Sequence, residues 1–83
     1  MADQPLVDIR CEEFEQSGCE PMMLFWYVGI GDHVEEGQDL CEIETAKAVF
    51  VIKAPASGTI AELLVAETEP VESAQVLGRI AIA

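Results

Sequence analysis

An internal repeat limits what this chain can fold into more than any other feature. Displaced by 37 residues, Val28, Val34, Glu35, Gln38, Leu40 and Ile43 fall on Val65, Val71, Glu72, Gln75, Leu77 and Ile80, six identities in the sixteen positions compared. Asp32 meets Glu69 and Gly37 meets Ala74 as near matches. Each copy is too short to bury a hydrophobic face alone, so the copies must pack on one another. A chain of 83 residues has room for a single domain spanning 1–83. Two similar halves within it predict a pseudo-twofold arrangement of two packed layers.

The layers read as strands. Residues 6–10, 24–28, 41–45, 48–54, 59–65 and 76–82 are β-branched, aromatic or alternating in polarity, and Gly31, Gly37, Pro55, Gly58 and Pro70 separate them. Residues 61–64 have some helical propensity, but no segment shows an apolar stripe at helical spacing. Residues 12–21 read as a polar surface loop. The expected fold is all-β: seven or eight short strands in a flattened barrel or sandwich of two small antiparallel sheets. Applied to Lys47, the same displacement lands on Arg10 and on a position just past Ala83, which predicts that the hairpin around Lys47 lies at the end of the domain away from the termini.

Sixteen acidic residues against four basic ones give a net charge of −12. That balance repels nucleic acid and anionic membranes. It suits either solubility or attraction to a partner with a basic face. The apolar run at residues 22–30 is far shorter than the roughly 20 residues of a membrane helix. Residues 1–8 lack the basic-then-apolar pattern of a signal peptide. Cys11, Cys19 and Cys41 have no metal-ligand spacing; Cys11 and Cys19 could pair, but reduced thiols in a cytoplasmic protein are expected. His33 stands alone as a surface-turn histidine, and no metal site is expected. No nucleophile–base pair or phosphate loop is present either, so the domain is expected to have no turnover of its own.

Lysine is scarce: only Lys47 and Lys53 occur. A strand running unbroken from Leu40 to Ala54 would be unusually long, so the chain should reverse near Glu44-Thr45-Ala46-Lys47-Ala48. Lys47 is then expected at a hairpin tip, flanked by two alanines that leave its amine open to an acylating enzyme. Lys53, before Ala54-Pro55, reads as a solubilising charge.

From about Met22 to Ile82 the order of motifs resembles the biotinyl/lipoyl carrier domains, and among them the lipoyl domains of 2-oxo acid dehydrogenase acyltransferases. The motifs are Trp26, Gly31-Asp32, Val34, Gly37, Leu40, Glu42-Ile43-Glu44-Thr45, Lys47-Ala48, Ala54-Pro55, Gly58, Val71 and Val76-Leu77. The resemblance implies lipoate on Lys47 through an amide, with Glu44, Thr45, Ala46 and Ala48 read by the modifying enzyme. Biotin carriers usually flank the lysine with methionines, so Ala46 and Ala48 turn the resemblance toward lipoyl; the usual lipoyl pattern has aspartate where Ala46 stands. Glu67-Thr68-Glu69-Pro70 replaces the Gly-Asp turn expected in the second half, and Pro70 should hold that turn.

The resemblance further implies a monomeric, non-catalytic swinging-arm carrier that moves acyl groups between active sites of a multienzyme complex. Its partners would be a lipoate ligase or lipoyl transferase, a thiamine-diphosphate-dependent decarboxylase, an acyltransferase and a flavin dehydrogenase. A biotin carboxyl carrier and an unmodified interaction module are the alternatives. The absence of a Pro/Ala-rich linker before Ala83 points to a free-standing carrier. Trp26, Ile43, Phe50, Ile52, Ile60 and Leu77 are the expected core, with Val49 and Val51 outward; Gly31 and Gly37 are expected at turns, and Asp32 to hydrogen-bond within its own turn.

Overall fold

A computed structural model of the protein describes residues 5–11, 21–46, 48–72 and 74–82. Seven strands follow one another: β1 (Leu6–Arg10), β2 (Met22–Trp26), β3 (His33–Val34), β4 (Asp39–Glu44), β5 (Val49–Lys53), β6 (Gly58–Leu63) and β7 (Val76–Ala81). They form two antiparallel sheets of order β1-β7-β6-β3 and β2-β4-β5. The fold is all-β, and of the two expected forms it takes the sandwich. No helix among the described residues is long and apolar enough to cross a membrane. Of the expected 12–21 loop, only Pro21 lies within the described residues.

The pseudo-twofold extends to single hydrogen bonds. Gly31 N–H donates to Ile60 C=O and Thr68 N–H to Met23 C=O; Ile60 N–H donates to Asp32 C=O and Met23 N–H to Glu69 C=O. In each of these pairs, a displacement of 37 residues turns one bond into the other. The turn acceptor recurs as well: Gly29 N–H donates to the Asp32 carboxylate, as expected, and Ala66 N–H to that of Glu69, both at 2.8 Å. Glu35 and Glu72 N–H donate to the side-chain oxygens of Gln38 and Gln75. The divergent second turn therefore keeps its geometry because Glu69 replaces Asp32 and Thr68 takes up the left-handed conformation of Gly31 (φ 70° and 93°). Pro70 accounts for the one unequal edge. His33 and Val34 pair with Thr59 and Gly58 as strand β3, whereas Pro70, lacking an N–H, makes only a single bridge to Met22.

The outer strands follow a different displacement. Ile52 and Lys53 on β5 occupy the places of Ile9 and Arg10 on β1, 43 residues apart, because the β1–β2 connection is six residues longer than its counterpart. Arg10 is thus the equivalent of Lys53 and not, as the repeat alone suggested, of Lys47.

Symmetry-related pairs make up the core: Met23 and Ile60, Ile43 and Ile80, Leu40 and Leu77, Val34 and Val71, Ile9 and Ile52 are all buried. Fully burying such a side chain stabilises by roughly 1.5–3 kcal/mol. Trp26 packs against this cluster with its indole N–H donating to Val65 C=O at 2.8 Å. Phe50, expected in the core, is only half-buried. It pairs with the fully buried Ile43, one residue from the β4–β5 end of β5. His33, expected in a turn, lies in the edge strand β3, and residues 61–63 extend β6.

The repeat pairs Gly37 (φ 89°) with Ala74 (φ 61°), a non-glycine residue in the left-handed region. Ala74→Gly should relieve that strain and stabilise by about 1 kcal/mol. For a domain of this size that raises Tm by roughly 4–8 °C. Gly37→Ala should lower Tm by a similar amount, and thermal melts followed by circular dichroism measure both.

Candidate functional site: the β4–β5 turn

Strands β4 and β5 pair through Glu44 and Val49, so the chain reverses within the four residues between them. Thr45 closes the reversal. Its N–H donates to Ala48 C=O at 2.8 Å, its hydroxyl donates to the same carbonyl at 3.1 Å, and Ala48 N–H donates back to Thr45 Oγ1 at 3.1 Å. Thr45 is the buried polar side chain among the described residues, and its hydroxyl is engaged within the turn. Of the other expected recognition residues, Glu44, Ala46 and Ala48 are exposed. Lys47 itself lies outside the described residues. Its sequence neighbours are two exposed alanines with no bulk or charge of their own. A cavity of about 610 Å³ borders the turn, lined by Pro21, Met22, Glu44, Thr45, Ala46 and Pro70.

The counterpart of this turn is the pair of chain ends. Ile82 N–H donates to Pro5 C=O at 2.9 Å, the bond that Thr45 makes with Ala48 in the other sheet. One frame therefore yields two equivalent strand ends, and one of them is closed by a tight connection containing Lys47.

Outside the sheet, Val49 and Val51 are exposed as expected. The sequence reading missed their neighbours. Glu42 sits between Phe25 and Val51 in register. Tyr27 donates its phenol to the Glu42 carboxylate and packs edge-on against Phe25, with ring centroids 4.8 Å apart. The aromatic-rich run at residues 24–28 was the available signal. Alternation from the inward Met23 would have sent Phe25 and Tyr27 inward as well; the irregularity between Met23 and Phe25, which no sequence pattern announced, turns both outward. The hydrogen bond to Glu42 is the main cause that pushes the Tyr27 phenol up to about 12. Away from this face, burial and then the neighbouring Cys11 push the Cys41 thiol up to about 12, so Cys41 is a core residue and not a nucleophile. Cys11 and Cys41 are both buried. Cys19 lies outside the described residues. His33 Nε2 is 2.7 Å from the Glu35 carboxylate on the surface. Among the described residues, no three of His, Cys, Asp and Glu come together as a metal would need.

Tyr27 is the only tyrosine, so the phenolate absorbance of the folded protein reports it alone. Its midpoint should lie near 12 and fall toward 10 in Glu42→Gln. Because the folded value is raised, the associated stability is fully present below pH 10 and is lost as pH rises through about 12. At the turn itself, Thr45→Ala removes two hydrogen bonds and should cost about 1–2 kcal/mol, measured by urea denaturation.

Comparison with known proteins agrees with this geometry. The biotin/lipoyl family model, described as a biotin-requiring enzyme, matches residues 13–80. The succinyltransferase component of the 2-oxoglutarate dehydrogenase complex of Haemophilus influenzae is 34% identical over 77 residues, 93% of this chain and 19% of that protein. The biotin carboxyl carrier protein of acetyl-CoA carboxylase from a Nostoc species is 44% identical over 54 residues, 65% of this chain and 30% of that protein. The chain thus spans between a fifth and a third of the length of these relatives. Among solved structures, the lipoyl domain of the Azotobacter vinelandii 2-oxoglutarate dehydrogenase complex superposes with a TM-score of 0.78 at 30% identity, covering 93% of this chain and 98% of that one. Matched along most of its length by the family model and over 93% of it by a solved lipoyl domain, the chain belongs to the biotin/lipoyl family and is a carrier domain of the lipoyl type.

Proposed function

We propose that Lys47 carries lipoate as an amide and that the domain presents it as a swinging arm between active sites of a 2-oxo acid dehydrogenase complex. The observation that carries this reading is the closed β4–β5 turn: Thr45 holds Ala48 from both its backbone and its side chain, and Ala46 and Ala48 are exposed on either side of the lysine in sequence. Such a turn fits an attachment point, because the protein can hold its backbone rigid while leaving an amine free for an enzyme. A free lysine amine titrates near 10.4, so the ligase must take a proton from it before it attacks an activated carboxyl. The bound group would supply a dithiolane that accepts an acyl group; the chain supplies only position and reach. Tethering raises the effective concentration at each partner site, and the domain has no turnover of its own.

The partners in this reading are a lipoate ligase or lipoyl transferase, a thiamine-diphosphate-dependent decarboxylase, an acyltransferase and a flavin dehydrogenase. Named relatives that are components of 2-oxoglutarate and pyruvate dehydrogenase complexes support that setting. The odd count of three cysteines without metal-ligand spacing supports a reducing, cytoplasmic one. Biotin is the second reading, favoured by the identity to the Nostoc carrier. Against it stand the alanines, rather than methionines, on both sides of Lys47.

Expression with lipoate and lipoate–protein ligase, or with biotin and biotin ligase, followed by intact mass measurement separates the readings. A single lipoyl adduct is expected, lost in Lys47→Ala and retained in Lys53→Ala. A biotin adduct on Lys47 would move the assignment to the second reading, and no adduct under either condition would end both.

A further inference from the structure

The pseudo-twofold provides an internal comparison between the outer faces of the two sheets. In the four-stranded sheet, the central outward row is Asp8–Arg79–Glu62, one residue each from β1, β7 and β6. Arg79 bridges both acids, with Nε 3.0 Å from Asp8 and Nη1 2.6 Å from Glu62. The row is charged and internally paired. In the sheet that carries the turn, the symmetry-equivalent row is Val51–Glu42–Phe25. The flanking acids have become Val51 and Phe25, both exposed, and the central cation has become an anion. Tyr27 and Val49 extend the apolar area on either side. The exposed Glu44 and Asp39 add negative charge, and the described cation on this face, Lys53, is already paired with Asp39 at 2.6 Å.

Identical backbone positions thus carry a charge ladder on one side and exposed apolar groups around an acid on the other. Folding does not require the second arrangement, since the sister sheet forms with the first. We infer that the outer face of β2, β4 and β5 is a docking surface for the enzyme that acylates the turn, a partner presenting apolar side chains over Phe25 and Val51 with arginine or lysine against Glu42. Charge complementarity selects that occupant: a chain of net charge −12 with an unmatched acid in the middle of an apolar patch attracts a basic face and repels an acidic one. The position fits as well, because Val49 and Glu44 join this face directly to the turn. The inference rests on the carrier reading.

Writing the sister row into this sheet tests it. The triple variant Phe25→Glu, Glu42→Arg, Val51→Asp recreates a row that the fold already supports, and circular dichroism should show native strands. With purified bacterial lipoate–protein ligase, lipoate and ATP, its KM should rise at least ten-fold with kcat little changed. Val51→Asp alone should raise KM in the same direction if the triple variant does not fold. The converse variant, Asp8→Val, Glu62→Phe, Arg79→Glu, should stay within two-fold of wild type. A wild-type chain that is acylated, with a triple variant acylated at the same KM, overturns the docking face alone. A wild-type chain that is never acylated removes the carrier reading and this one with it. A wild-type dimer in sedimentation that the triple variant abolishes, with KM unchanged, assigns the face to a second copy and overturns the inference.

Discussion

Each half of this domain is held by the other half's backbone. The turn at Gly31 and Asp32 is hydrogen-bonded to Ile60 on β6, and the turn at Thr68 and Glu69 to Met23 on β2. The residues that receive those bonds, Met23 and Ile60, are also fully buried at the centre of the core. A half alone would therefore lose both its turn partners and the other side of its apolar layer. Small domains bury a modest fraction of their chain, and this reciprocal clasp makes that fraction sufficient. It also explains why the second turn tolerates a sequence as unlike Gly-Asp as Thr68-Glu69-Pro70. The clasp uses backbone groups and one carboxylate, and glutamate reaches the Ala66 N–H as well as aspartate reaches that of Gly29.

How much of this was legible follows from what the repeat encodes. Identities at Leu40, Leu77, Ile43 and Ile80 mark inward positions that both halves need, so the fold class and most of the core were readable. The β1–β5 equivalence was not, because a six-residue difference in loop length moves the register while leaving each strand's pattern intact. Strand β3 was invisible for another reason: two residues cannot display a period. Phe50 shows the limit of hydrophobicity as a guide: its cross-strand partner Ile43 is fully buried, yet Phe50, one residue from the end of its strand, is only half-buried. At the site, the chain reversal near Lys47 followed from strand length. The work of Thr45 did not, because a threonine that binds its own turn and one displayed to an enzyme look the same in a sequence.

Where the two halves differ at equivalent places, the fold either accounts for the change, as at the second turn, or leaves it unexplained. The contrast between Asp8–Arg79–Glu62 and Val51–Glu42–Phe25 is of this second kind. Arg79 satisfies its neighbours so completely that its row has little left to offer a partner. Glu42 is engaged by the phenol of Tyr27 rather than by a cation, and its cross-strand neighbours Phe25 and Val51 are apolar. Surface ion pairs contribute little to stability, so exchanging one row for the other changes what the surface can recognise far more than whether it folds.

The turn carries the same logic to its end. Thr45 and Ala48 make in one sheet the backbone bond that Ile82 and Pro5 make in the other. At the β4–β5 end the hydroxyl of Thr45 adds contacts to both the N–H and the C=O of Ala48. At a short connection between paired strands, water competes for backbone polar groups. Drawing the Ala48 groups onto a buried hydroxyl removes that competition and fixes the base of the link. The hydroxyl of Thr45 is thereby taken up within the turn, and in the carrier reading proposed above the exposed neighbours Glu44, Ala46, Ala48 and the sheet face beside them are what an acylating enzyme would meet.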